Sequence, residues 1–199
     1  GVYVIGADPA YGSSEWADQF AIQVLRCFSD RVVQVAQYAT TDINEAQFAW
    51  IMAHLAGSYS SPNIPCFVCL EMQGPGGAVF NELKNLKQYA GPRTASNSDI
   101  YNVVARQRDY LWRKPGSMFG GLSYNWECNS KEKIRMMSTL RSYFEREMIE
   151  INSPQCVAEM RHIRRDGDKI GGEGRAKDDL VISLGIGIIA WNDWLLREL

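Results

Sequence analysis

Two short apolar runs in this sequence each end in a carboxylate and open into a glycine-rich segment, and that repetition constrains the fold more than any other feature. The first is V-Y-V-I-G-A followed by Asp8 and a Gly/Ser-rich loop over residues 9–18; the second is C-F-V-C-L followed by Glu71 and M-Q-G-P-G. Short apolar runs of this kind, bounded by turn-forming residues, read as buried strands. If the two strands are parallel neighbours, both carboxylates emerge at one sheet edge, beside the crevice where open α/β sheets bind ligands.

The rest of the chain supplies a sheet and its covering helices. Residues 20–27 and 32–38 read as strands joined by a turn at Ser29 and Asp30, so the first three strands form an antiparallel meander. Asp42 and Glu45 mark a helix start, with Phe48, Ile51, Met52 and Leu55 on one face and Gly57 as the stop. A helix between strands implies a crossover to a parallel neighbour. Gly76 and Gly77 open a second helix through Leu86, and residues 100–105 are the expected fifth strand. Residues 131–147 form an amphipathic helix with Ile134, Met137, Leu140 and Phe144 on its apolar face. Residues 148–151 fit a short strand, and residues 153–160 a short helix begun by Ser153 with Pro154 in its first turn. Gly167, Gly171, Gly172 and Gly174 mark residues 164–175 as turns or a β-hairpin. In residues 180–196 small and apolar residues alternate as in a strand, but the length favours a helix. Ser183, Gly187 and Ala190 then form a flat stripe that can lie close to a sheet. The expected class is α/β, a central mixed five-stranded sheet flanked by helices, in one domain over residues 1–199.

Composition narrows the function classes. At 199 residues and 46% hydrophobic the chain can bury one substantial core. A net charge of -2 excludes a uniformly basic nucleic-acid-binding surface, so any DNA contact must come from a local patch. Five cysteines without a disulfide-framework spacing favour a reducing compartment. Cys66 and Cys69 lie three apart in a strand and therefore face opposite sides, which argues against a shared zinc. No signal peptide and no run that must span a membrane is visible, the last apolar segment being interrupted by Asn192 and Asp193. A strand is already under way at Gly1, so the chain is expected to be a fragment of a larger protein.

A third acidic element, Asp178-Asp179, stands where a glycine-rich loop becomes the final helix. Each acid alone has an ordinary reading: Asp8 before Pro9 can start a turn, Glu71 can be solvated, and Asp178 can cap a helix with Asp179 in its first turn. Their order, at a strand end, a strand end and a helix start, points instead to a shared task. Clustered carboxylates repel and retain protons unless a cation neutralises them. Hard oxygen donors without a nearby His or Cys select Mg²⁺ or Mn²⁺. Two such ions roughly 3.5–4 Å apart can activate a water and stabilise the leaving oxygen of a phosphodiester.

Basic residues complete the candidate set. Arg161, Arg164, Arg165, Lys169, Arg175 and Lys177 form the densest basic stretch and lead into Asp178, a candidate contact for a DNA backbone. Arg106, Arg108, Arg113 and Lys114 around Tyr110 and Trp112 make a second patch. Lys131, at the start of the long helix, either reaches a scissile phosphate or holds the acids in place, or else stays solvated in the first turn.

G-A-D-P-A-Y-G with A-D-Q-F-A-I, then C-L-E-M-Q-G-P-G, N-S-K-E-K and A-K-D-D-L-V-I-S-L, in this order across nearly the whole chain, resembles the nuclease domain of tailed-phage terminase large subunits. The resemblance implies an RNase H-like fold that cuts concatemeric double-stranded viral DNA during packaging, in the host cytoplasm. It also implies that the chain works beside an ATPase motor domain, a portal protein and a small terminase subunit. Carried over, it makes Asp8 the bridge between two metals, Glu71 a ligand of the second, and the Asp178-Asp179 pair the completion of the first. The D-L-V context resembles the last acid of related resolvases and favours Asp179 as the direct ligand, with Asp178 auxiliary. The chain lacks G-x-x-x-x-G-K-[ST] and so is not itself the ATPase. The Gly-Trp element that often precedes the long helix is present only loosely, as G-G-L-S-Y-N-W. A Holliday-junction resolvase or transposase-like nuclease of the same fold, or a silent docking module, are the alternatives. A sugar-kinase-like ATPase fits less well, because D-P-A departs from its D-x-G-T.

Overall fold

The computed structural model describes residues 1–12, 17–61, 64–89, 126–167, 169–174 and 176–192. Three strands, β1 (Val2–Asp8), β2 (Phe20–Cys27) and β3 (Val32–Thr40), form the expected antiparallel meander. The helix α1 (Glu45–Ser58) then crosses to β4 (Phe67–Leu70), which pairs parallel to β1. A fifth strand, β5 (Ile149–Glu150), pairs parallel to the start of β3, giving the order β4-β1-β2-β3-β5. The fifth strand described is therefore the short run after the long helix. Residues 100–105, the expected one, lie outside the described residues, as does the second basic patch.

Strand periodicity separates two cores. Ile5, Ala7, Phe20, Ile22 and Val24 point to one face, where Phe48, Met52 and Ala56 of α1 and Val79, Leu83 and Leu86 of α2 (Gly76–Tyr89) cover them. Val4, Ala21, Leu25 and Cys69 point to the other, under α3 (Ser130–Glu145), α4 (Pro154–His162) and α5 (Asp179–Ala190). Cys66 and Cys69 accordingly belong to different cores. Among the described residues no helix is long and apolar enough to cross a membrane.

The helix ends follow local chemistry. Asn44, not Asp42, caps α1 and forms a reciprocal capping box with Gln47: its side-chain Oδ1 accepts from the Gln47 N–H at 2.9 Å, and the Asn44 N–H donates to Gln47 Oε1 at 3.0 Å. Asn129 caps α3 and Ser153 caps α4, with Pro154 in the first turn as expected. The buried face of α3 differs from expectation: Met136, Leu140 and Tyr143 are inside, while Phe144 is 50% exposed. Ile134, Met137 and Phe144 line an adjacent groove of about 580 Å³ between α3, the end of α4 and a two-stranded hairpin, β6 (Ile163–Asp166) and β7 (Lys169–Gly172). An apolar stripe more than one residue wide does not fix the rotation of its helix; the partner surface does.

The last helix is buried along its whole length from Asp179 to Ala190, which explains why its sequence lacks a polar face. It lies across β1 and β2 on glycine. A Cβ at Gly6 would collide with the backbone of Ser183 and Gly187, and one at Gly187 would stand 2.7 Å from Leu25 Cδ1. This close approach sets the height of Asp179 above the end of β1.

Candidate metal centre

Asp8 is the last residue of β1, and Glu71 directly follows β4. Parallel pairing of the two strands, with Ala7 opposite Leu70, carries both carboxylates out at one edge. The Glu71 N–H donates to Ala7 O at 2.9 Å, and the chain at Trp126 pairs along its other side, Trp126 N–H donating to Leu70 O at 3.1 Å. Gly74, at φ +61°, turns the chain after Glu71 towards α2; Gly76 then lies so close to the Glu71 carbonyl that a side chain would not fit.

The electrostatics show how closely the acids are gathered. Asp8 is held well above the usual carboxylate range, first by burial, then by the Glu71 charge and a hydrogen bond with it, then by Asp179 and Asp178. Protonated Asp8 donates to Glu71, which favours the charged form of Glu71. Glu71, 8% exposed, is nevertheless pushed up by burial, against that hydrogen bond, the Lys133 charge and the Cys128 N–H. Asp179, 5% exposed, is pushed up to about 6 by burial, with Asp18 and Asp178 adding to it; the Gln19 N–H, 2.9 Å from Oδ2, and Lys177 act the other way. Asp178 pairs with Lys133 at 3.2 Å.

Glu71 at the neighbouring strand end and Asp178 and Asp179 at the helix start thus lie within charge range of Asp8. Among the described residues no three His, Cys, Asp or Glu side chains converge closely enough, as they stand, to hold one ion. Asp178 is turned to Lys133 and Asp179 to the Gln19 N–H. The donor set fits a hard divalent cation such as Mg²⁺ or Mn²⁺, because all four groups offer oxygen, and a bound cation would counter the raised proton affinity of Asp8, Glu71 and Asp179.

The lysine that meets the acids is Lys133, whereas Lys131 is exposed. Two residues apart on a helix point roughly 200° away from each other, so only one lysine of N-S-K-E-K can share the face of Met136 and Leu140. The spacing was the signal available, and it left open which of the two lysines faces inward. Glu159 of α4 left no such signal: it is buried and its Oε2 accepts from the Leu180 N–H at 2.9 Å, an acid from another helix at the start of α5. Asp178, at the N-cap position, makes no side-chain capping bond.

The expected hairpin is present and exposes Arg164, Arg165 and Lys169, with Arg161 exposed at the end of α4 and Lys177 half-buried beside the acids. Arg164 pairs with Glu173 at 3.3 Å. The hairpin reaches the acids through β7, since a Cβ at Gly171 would stand 3.1 Å from Asp178 Oδ2. Arg175 lies outside the described residues.

No protein-family model matches the sequence, and no curated protein does. Solved structures do match. The large terminase nuclease of the thermophilic phage G20c with bound magnesium is similar over 94% of this chain and 80% of its own, at 18% identity and TM-score 0.64. The chain has the fold of the large terminase nucleases. The same phage nuclease with bound cobalt matches at 16% identity and TM-score 0.61, over 94% of this chain and 80% of its own. The human cytomegalovirus terminase nuclease domain, soaked with manganese and bound to an inhibitor, matches at 11% identity and TM-score 0.60, over 99% of this chain and 85% of its own. The terminase-nuclease fold thus accounts for the mixed sheet and its flanking helices.

Proposed function

We propose that this chain is a divalent-metal-dependent endonuclease that hydrolyses phosphodiesters of double-stranded concatemeric viral DNA during genome packaging. The observation that carries the reading is the gathering of Glu71, Asp179 and Asp178 near Asp8, close enough that the charge of each helps hold the Asp8 proton. Asp8 and Glu71, with Asp179 and an auxiliary Asp178, hold two Mg²⁺ or Mn²⁺ ions. A divalent ion bound there supplies the positive charge that activates a water and stabilises the leaving oxygen.

The chain's own groups then have definite tasks. The Cys128 N–H and Lys133 favour the charged form of Glu71, and the Gln19 N–H fixes one oxygen of Asp179. Lys133 offsets the negative charge of Asp178. Arg161, Arg164, Arg165, Lys169, Arg175 and Lys177 take phosphates of the backbone, which positions DNA without reading its sequence. In the intact subunit the domain works beside an ATPase motor, with the portal and the small terminase subunit, in the host cytoplasm.

Supercoiled plasmid incubated with the purified chain and Mn²⁺ or Mg²⁺ is expected to be nicked and linearised, and EDTA to stop the reaction. Cleavage confined to four-way junctions would move the reading to a resolvase. No cleavage under any of these ions would leave a docking module.

A further inference from the structure

The start of α5 presents an arrangement that the acids alone do not explain. Asp178 occupies the N-cap position, from which an aspartate ordinarily accepts a backbone N–H of the first turn, yet its side chain makes no such bond. Its Oδ2 is on Lys133 instead, and Asp179 Oδ2 is on the Gln19 N–H, outside the helix. The orphan donors of the helix are met from elsewhere. Glu159, on α4, accepts from the Leu180 N–H at 2.9 Å and also from the Val181 N–H. The Leu180 carbonyl is held in turn by Gln23 Nε2 at 3.4 Å and by Cys156 Sγ at 3.9 Å.

We infer that Glu159 is a positioning residue for the metal centre: by capping α5 from a neighbouring helix, it frees both Asp178 and Asp179 to face the site. This rests on the proposed metal-dependent reading. The physical reason is competition for lone pairs. A carboxylate that caps its own helix turns back onto the backbone, whereas a ligand must point outward. A helix whose first residues include two ligands therefore needs its cap from a third group. Glu159 is buried, and it spans from α4 to the backbone of the residue next to Asp179, so its position fixes the direction in which Asp179 leaves the helix. Cys156 on the same helix meets Leu180 at its carbonyl and leaves the N–H groups alone.

The test compares Glu159→Gln, Glu159→Asp and Glu159→Ala with Cys156→Ala as a packing control, in the full chain at temperatures well below each melting point. Three quantities are read: Mn²⁺ affinity by calorimetry, hydrogen exchange at Leu180 and Val181 in metal-free protein, and the KM-against-kcat split for plasmid cleavage. Glu159→Ala is expected to speed exchange at both amides and to weaken Mn²⁺ binding by roughly 10–100-fold. Its loss should appear in kcat, with KM for DNA little changed. Glu159→Asp, one methylene shorter, should behave alike. Glu159→Gln keeps an acceptor oxygen and should stay near wild type in all three readouts. Cys156→Ala should lower the melting point without changing Mn²⁺ affinity. Wild-type Mn²⁺ affinity in Glu159→Ala and Glu159→Asp overturns the inference, and so does a Glu159→Gln variant as impaired as the alanine. If the wild-type chain itself binds no Mn²⁺, the metal reading has failed, a result distinct from either of these.

Discussion

Asp178 and Asp179 are the same residue type side by side, and their surroundings give them different tasks. Asp179 is buried, takes the Gln19 N–H and faces Asp8, whereas Asp178 is half-buried and paired with Lys133. Asp8→Asn, Glu71→Gln and Asp179→Asn are each expected to reduce plasmid cleavage to background, because each removes ligand charge with little change of shape. Asp178→Asn should lose roughly tenfold, in the range for groups that support a metal site. An inactive Asp178→Asn beside an active Asp179→Asn would reverse the assignment. The lysines give a second comparison at this scale. Lys133→Ala should lower cleavage and Lys131→Ala should leave it unchanged in the same assay, since Lys133 reaches the acids and Lys131 is exposed. Equal losses would mean that charge near the helix start matters and its direction does not.

At the scale of the element, the packing of α5 on β1 and the hairpin beside it carry separate consequences. Gly6→Ala places a methyl group against the backbone of Ser183 and Gly187, which cannot move without lifting the helix. Gly187→Ala meets the end of the flexible Leu25 side chain, which can rotate away. Gly6→Ala should therefore lose at least the roughly 1–3 kcal/mol typical of overpacked cores, and Gly187→Ala less, as read by urea denaturation. If the two lose equally, α5 tolerates displacement and the close glycine packing does not set its height. For the hairpin, Arg164, Arg165 and Lys169 replaced together by alanine should weaken DNA binding almost equally across sequences. The log-log salt dependence should flatten by roughly 0.9 for each phosphate that the variant no longer neutralises. An unchanged salt slope would show the hairpin to be a solvated connector.

For the whole molecule, the gathered acids predict how stability depends on pH. Asp179 is raised to about 6 and Glu159 to about 7, both first by burial. In the unfolded chain both return to ordinary carboxylate values, so the folded state binds more protons in between. A carboxylate raised in this way contributes stability that is full below its unfolded pKa and lost as pH rises through its folded pKa. Metal-free protein should therefore melt lower at pH 8 than at pH 5.5, each kcal/mol lost moving the midpoint by roughly 2–4 °C for a chain of this size. Mn²⁺ should restore the midpoint most strongly at pH 8, where the ligands have shed the protons that compete with the ion. Thermal melts in EDTA and in Mn²⁺ across this range check both signs. A melting point that rises steadily with pH in EDTA would mean that the acids are not gathered in solution.

Much of this organisation was legible in the sequence because it rests on local periodicity. Alternation marked the meander, the apolar runs and the intervening helix marked the parallel pairing of the Asp8 and Glu71 strands, and the glycines marked the hairpin beside the acids. Ser183 and Gly187 marked where a helix could press on a sheet, and Gly6 lies beneath them. What depended on rotation or on a distant partner was not legible. The phase of α3, and with it the choice of Lys133 over Lys131, is fixed by which side chains the neighbouring α5 and sheet accept. The cap of α5 comes from Glu159, 21 residues away from Leu180, where Asp178 seemed sufficient by position alone. Periodicity reports which residues are buried; hydrogen-bond partners and charge neighbours are properties of space between elements, so only the tertiary structure decides them.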